Sequence, residues 1–522
     1  MKKILIIVVL GFLIYGLSLS NGFVWDDEVM FQKAASIPAN VYFRPAISTV
    51  YSIIYNLFGP QPFFYHLFQL IFHIATTILI YYLFRRFFKE TISLILAIIF
   101  LVHPANVEAV SFASAMQETA FTLTGITGLY LFVKMDSRLR GNDVYAKVFF
   151  ATLLLLIALL MKETAIVFFL LVFCYLVLFR RKKQDVLISY SIFAVIFLMV
   201  YFLFRLSGGN LYVQGQGLFP IMRVSLATRL INIPMIILYY LTKFFYPMNL
   251  GIAQNWVVRT VDLRNFWLPL IGECLLLMTA ITYIIKNKNK VFTFFFLWFL
   301  IGLLPHLQII PLNMTVAERW LYFPMIGLLG MIGAALSKIG DYRLDPLLRG
   351  DDKQTSFPRR RESRLLISLG IVIILLFSFR TFIRTLDWRN GLVLFSHDVK
   401  KNSSFDLQNN MGVELFRAGR FDQAKKYFEI STQLAPYWWV NWNNLGAVFE
   451  REKNYQKAAD YYQKSINNGQ YYLAYENLAK TLVLYEKDQK KTEEFLQRAL
   501  KLFPENKNLL MINKYFQEKN NK

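Results

Sequence analysis

Long apolar runs separated by short basic clusters leave this chain few folds to choose from. A run that is nearly free of charge and long enough to cross a bilayer must satisfy its backbone polar groups internally, which favours a helix. The runs lie at about Ile4–Ser20, Leu67–Phe84, Ile92–Val102, Thr119–Val133, Val148–Met161, Ala165–Phe179, Val186–Phe204, Phe266–Ile285, Val291–Leu304, Leu321–Leu336 and Leu365–Phe382. Between them stand Arg85-Arg86, Arg180–Lys183, Lys286–Lys290 and Arg359–Arg364. Under the positive-inside rule these clusters mark cytoplasmic loops, so the formal charge of +23 reads as topology and not as a nucleic-acid surface. The composition agrees, with 56% hydrophobic and 17% charged residues among 522. The expected fold is all-α: a polytopic domain of about eleven spans over residues 1–400, followed by a helical repeat domain over 401–522.

Met1-Lys2-Lys3 before the first run resembles a signal peptide without a small-x-small cleavage site, and is read as an uncleaved first span with a cytoplasmic N-terminus. The two cysteines, Cys174 and Cys274, lie inside apolar runs and offer neither a disulfide framework nor a metal site. Parity of the basic loops requires Leu226–Tyr246, which carries Arg229, Pro234 and Lys243, to be an outer interfacial or re-entrant helix. Two cytoplasmic loops, Asp136–Val144 and the stretch from Arg343 to Arg364, have the character of inserted peptides and are given no chemical role.

The first outer stretch, Asn21–Glu28, carries Asp26, Asp27 and Glu28 in succession behind Phe23 and Trp25. Like-charge repulsion raises the proton affinity of each carboxylate, which suits a general base at the membrane surface. The rest of that loop supplies Arg44, and the other outer loops supply His103, Glu108, Glu118, Lys162, Glu163, Glu318 and Arg319. Singly, each is an ordinary solvated helix cap. Together they form a candidate polar site, with carboxylates to accept a proton and cations to hold an anion such as a phosphate. One histidine among scattered carboxylates is no zinc pattern. A divalent ion, magnesium or manganese, held by Asp27 and Glu108 is the metal alternative. No phosphate-cradling Gly-rich loop and no Gly-x-Ser-x-Gly elbow occurs, which disfavours nucleotide hydrolysis and serine esterase chemistry.

After Asn402, Asn409-Asn410-Met411-Gly412 recurs as Asn443-Asn444-Leu445-Gly446 at a spacing of 34. Phe421, Ala424 and Phe428 recur as Tyr455, Ala458 and Tyr462, and a weaker third copy starts near Tyr471. This period resembles tetratricopeptide repeats, stacked helix pairs whose small residues allow close packing. Trp438, Trp439 and Trp442 read as packing between repeats, with an aromatic platform for peptide or sugar as the alternative.

Phe23-Val-Trp-Asp-Asp, Phe43-Arg-Pro, Tyr65-His66-Leu, His103-Pro-x-x-Val-Glu108-Ala-Val, Lys162-Glu-Thr-Ala and Ala317-Glu-Arg-Trp-Leu-Tyr-Phe-Pro324 occur in that order, with the repeats behind them. Together they resemble the membrane-embedded C-superfamily glycosyltransferases, in their transmembrane-and-tetratricopeptide branch, which is similar to protein O-mannosyltransferases. The resemblance implies transfer of a sugar from a polyprenyl-phosphate donor to an acceptor hydroxyl, of protein, outside the cytoplasm; the expected location is a bacterial inner membrane, with the repeats on its outer side. It implies Asp26 as base with Asp27 beside it as partner or metal ligand, and Arg319 on the lipid phosphate; Lys162 or Arg44 is expected to add to that charge. One departure stands out: after Glu108 the chain reads Ser-Phe-Ala-Ser-Ala-Met-Gln-Glu, where Gly-Arg is expected before the acidic residue. The alternatives are a membrane-anchored repeat scaffold without enzymatic activity, and a ligase or transporter of lipid-linked sugars.

Overall fold

The computed structural model describes the chain except for residues 33–42, 136–141, 181–183, 208–216, 339–359, 486–487 and 521–522. Among the described residues every regular element is helical. Most of both presumed insertions falls outside the described residues. The chain divides into two compact units, one of Met1–Ile252 with Trp256–Asn390, the other of Ala253–Asn255 with Gly391–Lys522.

The first unit contains α1 (Lys2–Tyr15), α2 (Pro45–Phe58), α3 (Pro62–Phe84), α4 (Glu90–Leu101), α5 (Val107–Ser111), α6 (Met116–Lys134), α7 (Asn142–Met161) and α8 (Ile166–Phe179). It continues through α9 (Gln184–Ser207), α10 (Leu226–Phe245), α11 (Leu268–Asn287), α12 (Lys290–Leu303), α13 (Pro324–Lys338) and α14 (Arg360–Asp387). Each apolar run of the sequence is helical. Six described helical stretches are long and apolar enough to cross a membrane, and a seventh crossing results if α4 and α5, bent by 49°, count as one. The stretches around α8, α12 and α13 are apolar but shorter. This is a multi-pass membrane protein.

Its interior is built from aromatic rings against small residues. A Cβ on Gly327 of α13 would lie 2.5 Å from the Phe299 backbone nitrogen, so only glycine lets α12 and α13 approach this closely. α10 starts at an N-cap, with the Ser225 hydroxyl accepting from the Thr228 N–H, and holds Pro234 in its interior. Its Asn232 side chain donates to the carbonyl of Val258 at 2.8 Å and accepts from the Val258 N–H at 2.7 Å. Those bonds tie the helix to the irregular segment after it.

The second unit begins with α15 (Gly391–Asp398). Then come α16 (Phe405–Arg417), α17 (Phe421–Leu434), α18 (Trp439–Arg451), α19 (Tyr455–Asn468), α20 (Tyr472–Tyr485), α21 (Gln489–Leu502) and α22 (Lys507–Asn520). The repeated small residues sit where α16 meets α17 and α18 meets α19. A Cβ on Gly412 would come within 2.6 Å of the Phe428 ring, and one on Gly446 within 2.7 Å of the Tyr462 ring. Ala424 and Ala458 are fully buried. The tryptophans pack: Trp439 fills the space over Gly469, Trp438 meets Phe405 edge-on at 4.9 Å, and Trp442 stacks on Tyr461 at 5.8 Å.

Candidate functional site

Proline decides the local course of the chain at the first component of the site. Pro104 lacks an N–H and cannot continue α4, so the chain turns at His103 and resumes as α5. The His103 ring fixes this elbow, its Nδ1 accepting from the Ala105 N–H at 3.2 Å and its Nε2 donating to the Phe244 carbonyl at 3.0 Å. Both ring nitrogens are thereby used within the protein. The chain then makes a tight turn through Phe112–Ala115 before α6. This elbow delivers Glu108, Phe112, Ser114 and Glu118 within a short stretch, all of them buried.

Asn21–Glu28 runs against that turn. Phe23 anchors it in an aromatic cluster with Phe31, Tyr51 and Tyr65, in which Phe31 and Tyr65 stand 4.4 Å apart. The two aspartates then part company. Asp27 is fully buried, its Oδ1 accepting from the Ser114 N–H at 2.7 Å and hydroxyl at 2.5 Å, and its Oδ2 from the Val24 N–H at 3.3 Å. Burial still pushes its carboxyl up to about 7, against those hydrogen bonds and with repulsion from Asp26 adding to the rise. Asp26 is exposed and, among the described residues, makes no hydrogen bond or ion pair. Enough protein surrounds it for desolvation to raise its pKa, while the Arg319 charge acts in the other direction. Asp26 is thus accessible to water while protein crowds around it.

Arg319, on the turn before α13, forms a buried ion pair with Glu108, and its backbone N–H donates to the other Glu108 oxygen at 2.9 Å. Its guanidinium carbon lies 5.9 Å from the Phe112 ring centre and 5.8 Å from that of Trp320. Lys162, where α7 ends, pairs with buried Glu118. Arg44 grips Glu163 with two N–H groups, at 2.8 and 2.5 Å. Burial works to raise the Glu163 carboxyl, but Arg44 and Lys162 carry it down to about 2. Glu318 turns the other way: one oxygen accepts from the Gly251 N–H at 2.6 Å, and the other is buried without a hydrogen-bond partner among the described residues. Burial raises its pKa, with the Arg384 charge opposing.

The expected residues therefore meet as three carboxylate–cation pairs and one accessible aspartate. Asp27 and Glu108, the candidate metal ligands, spend both carboxylate oxygens on protein donors, and no group of three His, Cys, Asp or Glu among the described residues could hold a metal ion. These two residues do not fit a divalent ion. Three contributors were given no role in the sequence reading, although His306 stood in an outer loop and Phe112 and Ser114 in the departing segment. Ser114 and Phe112 carried no motif signal. His306, buried and stacked on Trp320 at 5.0 Å, lies within electrostatic reach of both Lys162 and Arg319.

Fold and site together define a helical membrane protein with a cluster of charged pairs at its interhelical elbows. The comparisons show what the chain is similar to. Residues 44–204 match the family model described as dolichyl-phosphate-mannose-protein mannosyltransferase. A stretch of 127 residues is 30% identical to the human protein O-mannosyl-transferase TMTC3, covering 24% of this chain and 12% of that protein. A stretch of 191 residues is 25% identical to protein O-mannosyl-transferase Tmtc3 of Drosophila melanogaster, covering 34% of this chain and 19% of that one. The matched stretches thus span less than a fifth of these relatives' own lengths. The resemblance to membrane mannosyltransferases of the C superfamily, read from the motifs, is borne out.

Proposed function

We propose that the chain is a glycosyltransferase that moves mannose, or a similar sugar, from a polyprenyl-phosphate donor to a hydroxyl of a protein acceptor on the outer face of the membrane. The observation that carries this reading is Asp26. It is the carboxylate of the cluster without a partner among the described residues, it is open to water, and it feels the charge of Arg319.

In a single inverting displacement, Asp26 takes the acceptor hydroxyl proton while that oxygen bonds to the anomeric carbon. The bond from that carbon to the phosphate oxygen breaks, and the phosphate leaves with the electron pair. Arg319 commits one guanidinium nitrogen to Glu108, leaving its other donors for the leaving phosphate. Lys162 and Arg44 add positive potential, which Glu118 and Glu163 hold in place. Asp27 serves as the fixed neighbour of the base. The apolar tail of the donor lies against the spans, and the helix pairs of the second unit, read as tetratricopeptide repeats, capture the acceptor protein.

The test is mass spectrometry of envelope glycoproteins from cells with and without this protein. Loss of hexose-modified peptides on its removal is expected. An unchanged glycoprotein profile would leave the repeats as a scaffold, and sugar transferred to a polymer instead would point to a ligase.

A further inference from the structure

The Phe112–Ser114 turn holds both neighbours of Asp26 while leaving Asp26 itself untouched. On one side, the Trp25 ring stacks on Phe112, with centres 5.7 Å apart and planes at 16°. On the other, Ser114 binds Asp27 through its N–H and its hydroxyl. The turn is itself fixed from outside. Gln69 of α3 donates to the carbonyls of Ala109 and Phe112 at 2.5 and 2.7 Å. The Tyr51 hydroxyl of α2 donates to the Ala113 carbonyl at 3.1 Å. Trp25 adopts φ of 56°, left-handed backbone that a non-glycine residue rarely takes unless its surroundings impose it.

We infer that Phe112-Ala113-Ser114 is a positioning cradle for the base: it clamps Trp25 and Asp27 so that the Asp26 carboxylate stays open to water with its oxygens uncommitted. This rests on the reading of Asp26 as base and adds the residues that aim it. A carboxylate free to rotate toward Ser114 would be captured by the same donors that now hold Asp27. The left-handed Trp25 sets the chain direction immediately before Asp26, and the stack keeps it set. The stretch in question is the one where the sequence lacks the Gly-Arg expected of the resembling family. Here a serine hydroxyl and a phenylalanine ring act through Asp27 and Trp25, the two residues that flank Asp26.

Labelling and transfer test the cradle separately. Purified full-length protein is treated with a water-soluble carbodiimide and an amine, and the peptide carrying Trp25-Asp26-Asp27 is sequenced by tandem mass spectrometry. Asp26 takes the label in the unaltered protein while Asp27 is protected. In Ser114→Ala, Asp27 becomes labelled as well, and mannosyl transfer from polyprenyl-phosphate mannose falls by roughly 10-fold to 100-fold, the cost of a small misplacement, at unchanged donor affinity. Ser114→Thr restores both. Trp25→Gly, which accepts the backbone angle but loses the stack, lowers transfer more than Trp25→Phe, which keeps a ring there. Equal labelling of the two aspartates in the unaltered protein, or a Ser114→Ala variant with the original labelling and rate, would overturn the cradle. Full transfer by Asp26→Asn with Asp27 still protected would instead overturn the reading of Asp26 as base.

Discussion

Glu108 meets Arg319 twice, at the guanidinium and at the backbone N–H, although 211 residues separate them. The contact fixes the turn before α13 to the elbow after α4, and it leaves Arg319 close enough for its charge to act on Asp26.

Removing one member of so buried a pair strands the other. Glu108→Gln should destabilise the protein by about 3–5 kcal/mol, as for other broken buried pairs. Arg319→Gln should do likewise, whereas the double variant should lose clearly less than the sum of the two, because no unpaired charge remains. Thermal unfolding in detergent measures this. Additive losses would show that the two side chains do not depend on each other.

Asp27 gives the fold a pH dependence of defined sign. Its folded pKa, about 7, lies above the ordinary value of 3.8. The folded state therefore holds the proton more tightly than the unfolded chain. That contribution is present in full below the unfolded value and is lost as pH rises through about 7. Unfolding midpoints should fall between about pH 4 and pH 7 and level off above that, and Asp27→Asn should flatten the slope. The groups facing Asp27 are Asp26, Ser114, the Val24 N–H and Tyr51. A midpoint that rises over this range, or an unchanged slope in Asp27→Asn, would contradict the assignment.

The helix pairs of the second unit rest on the small residues that repeat. Gly446→Val would force a branched side chain into the Tyr462 ring, where a Cβ alone comes within 2.7 Å. Overpacking of this kind costs about 1–3 kcal/mol. Limited proteolysis of the full chain should then cut within α18 and α19 first. Resistance equal to the unaltered protein would mean that the two helices part easily at that point.

The helices of the first unit were legible because an apolar run between basic loops has one low-energy solution in a bilayer. The 34-residue recurrence was legible because Gly446 and Tyr462 must each repeat for one contact to repeat. The convergence of the site was only half legible. Residue types showed that Asp26, Arg44, Glu108, Glu118, Lys162, Glu163 and Arg319 belong outside the spans. Nothing in their spacing showed which would pair, since pairing depends on how the α4–α5 and α7–α8 elbows fold. His103 illustrates the difference: its motif marked it as polar site, while the elbow uses both its ring nitrogens internally. Ser114 was invisible, because a lone serine among small residues gains meaning only when Asp27 arrives beside it.

The most direct measurement is mannosyl transfer by purified Asp26→Asn, from polyprenyl-phosphate mannose to a protein acceptor, followed across pH. Removal of the base should lower transfer by a factor of about 10² to 10⁴, with donor affinity unchanged. In the unaltered protein the rate should rise with pH through a midpoint above the ordinary aspartate value of 3.8, since desolvation by the surrounding protein raises Asp26 and the Arg319 charge only partly offsets it. An Asp26→Asn protein that transfers at the full rate with the same pH profile would place the base elsewhere and contradict the mechanism.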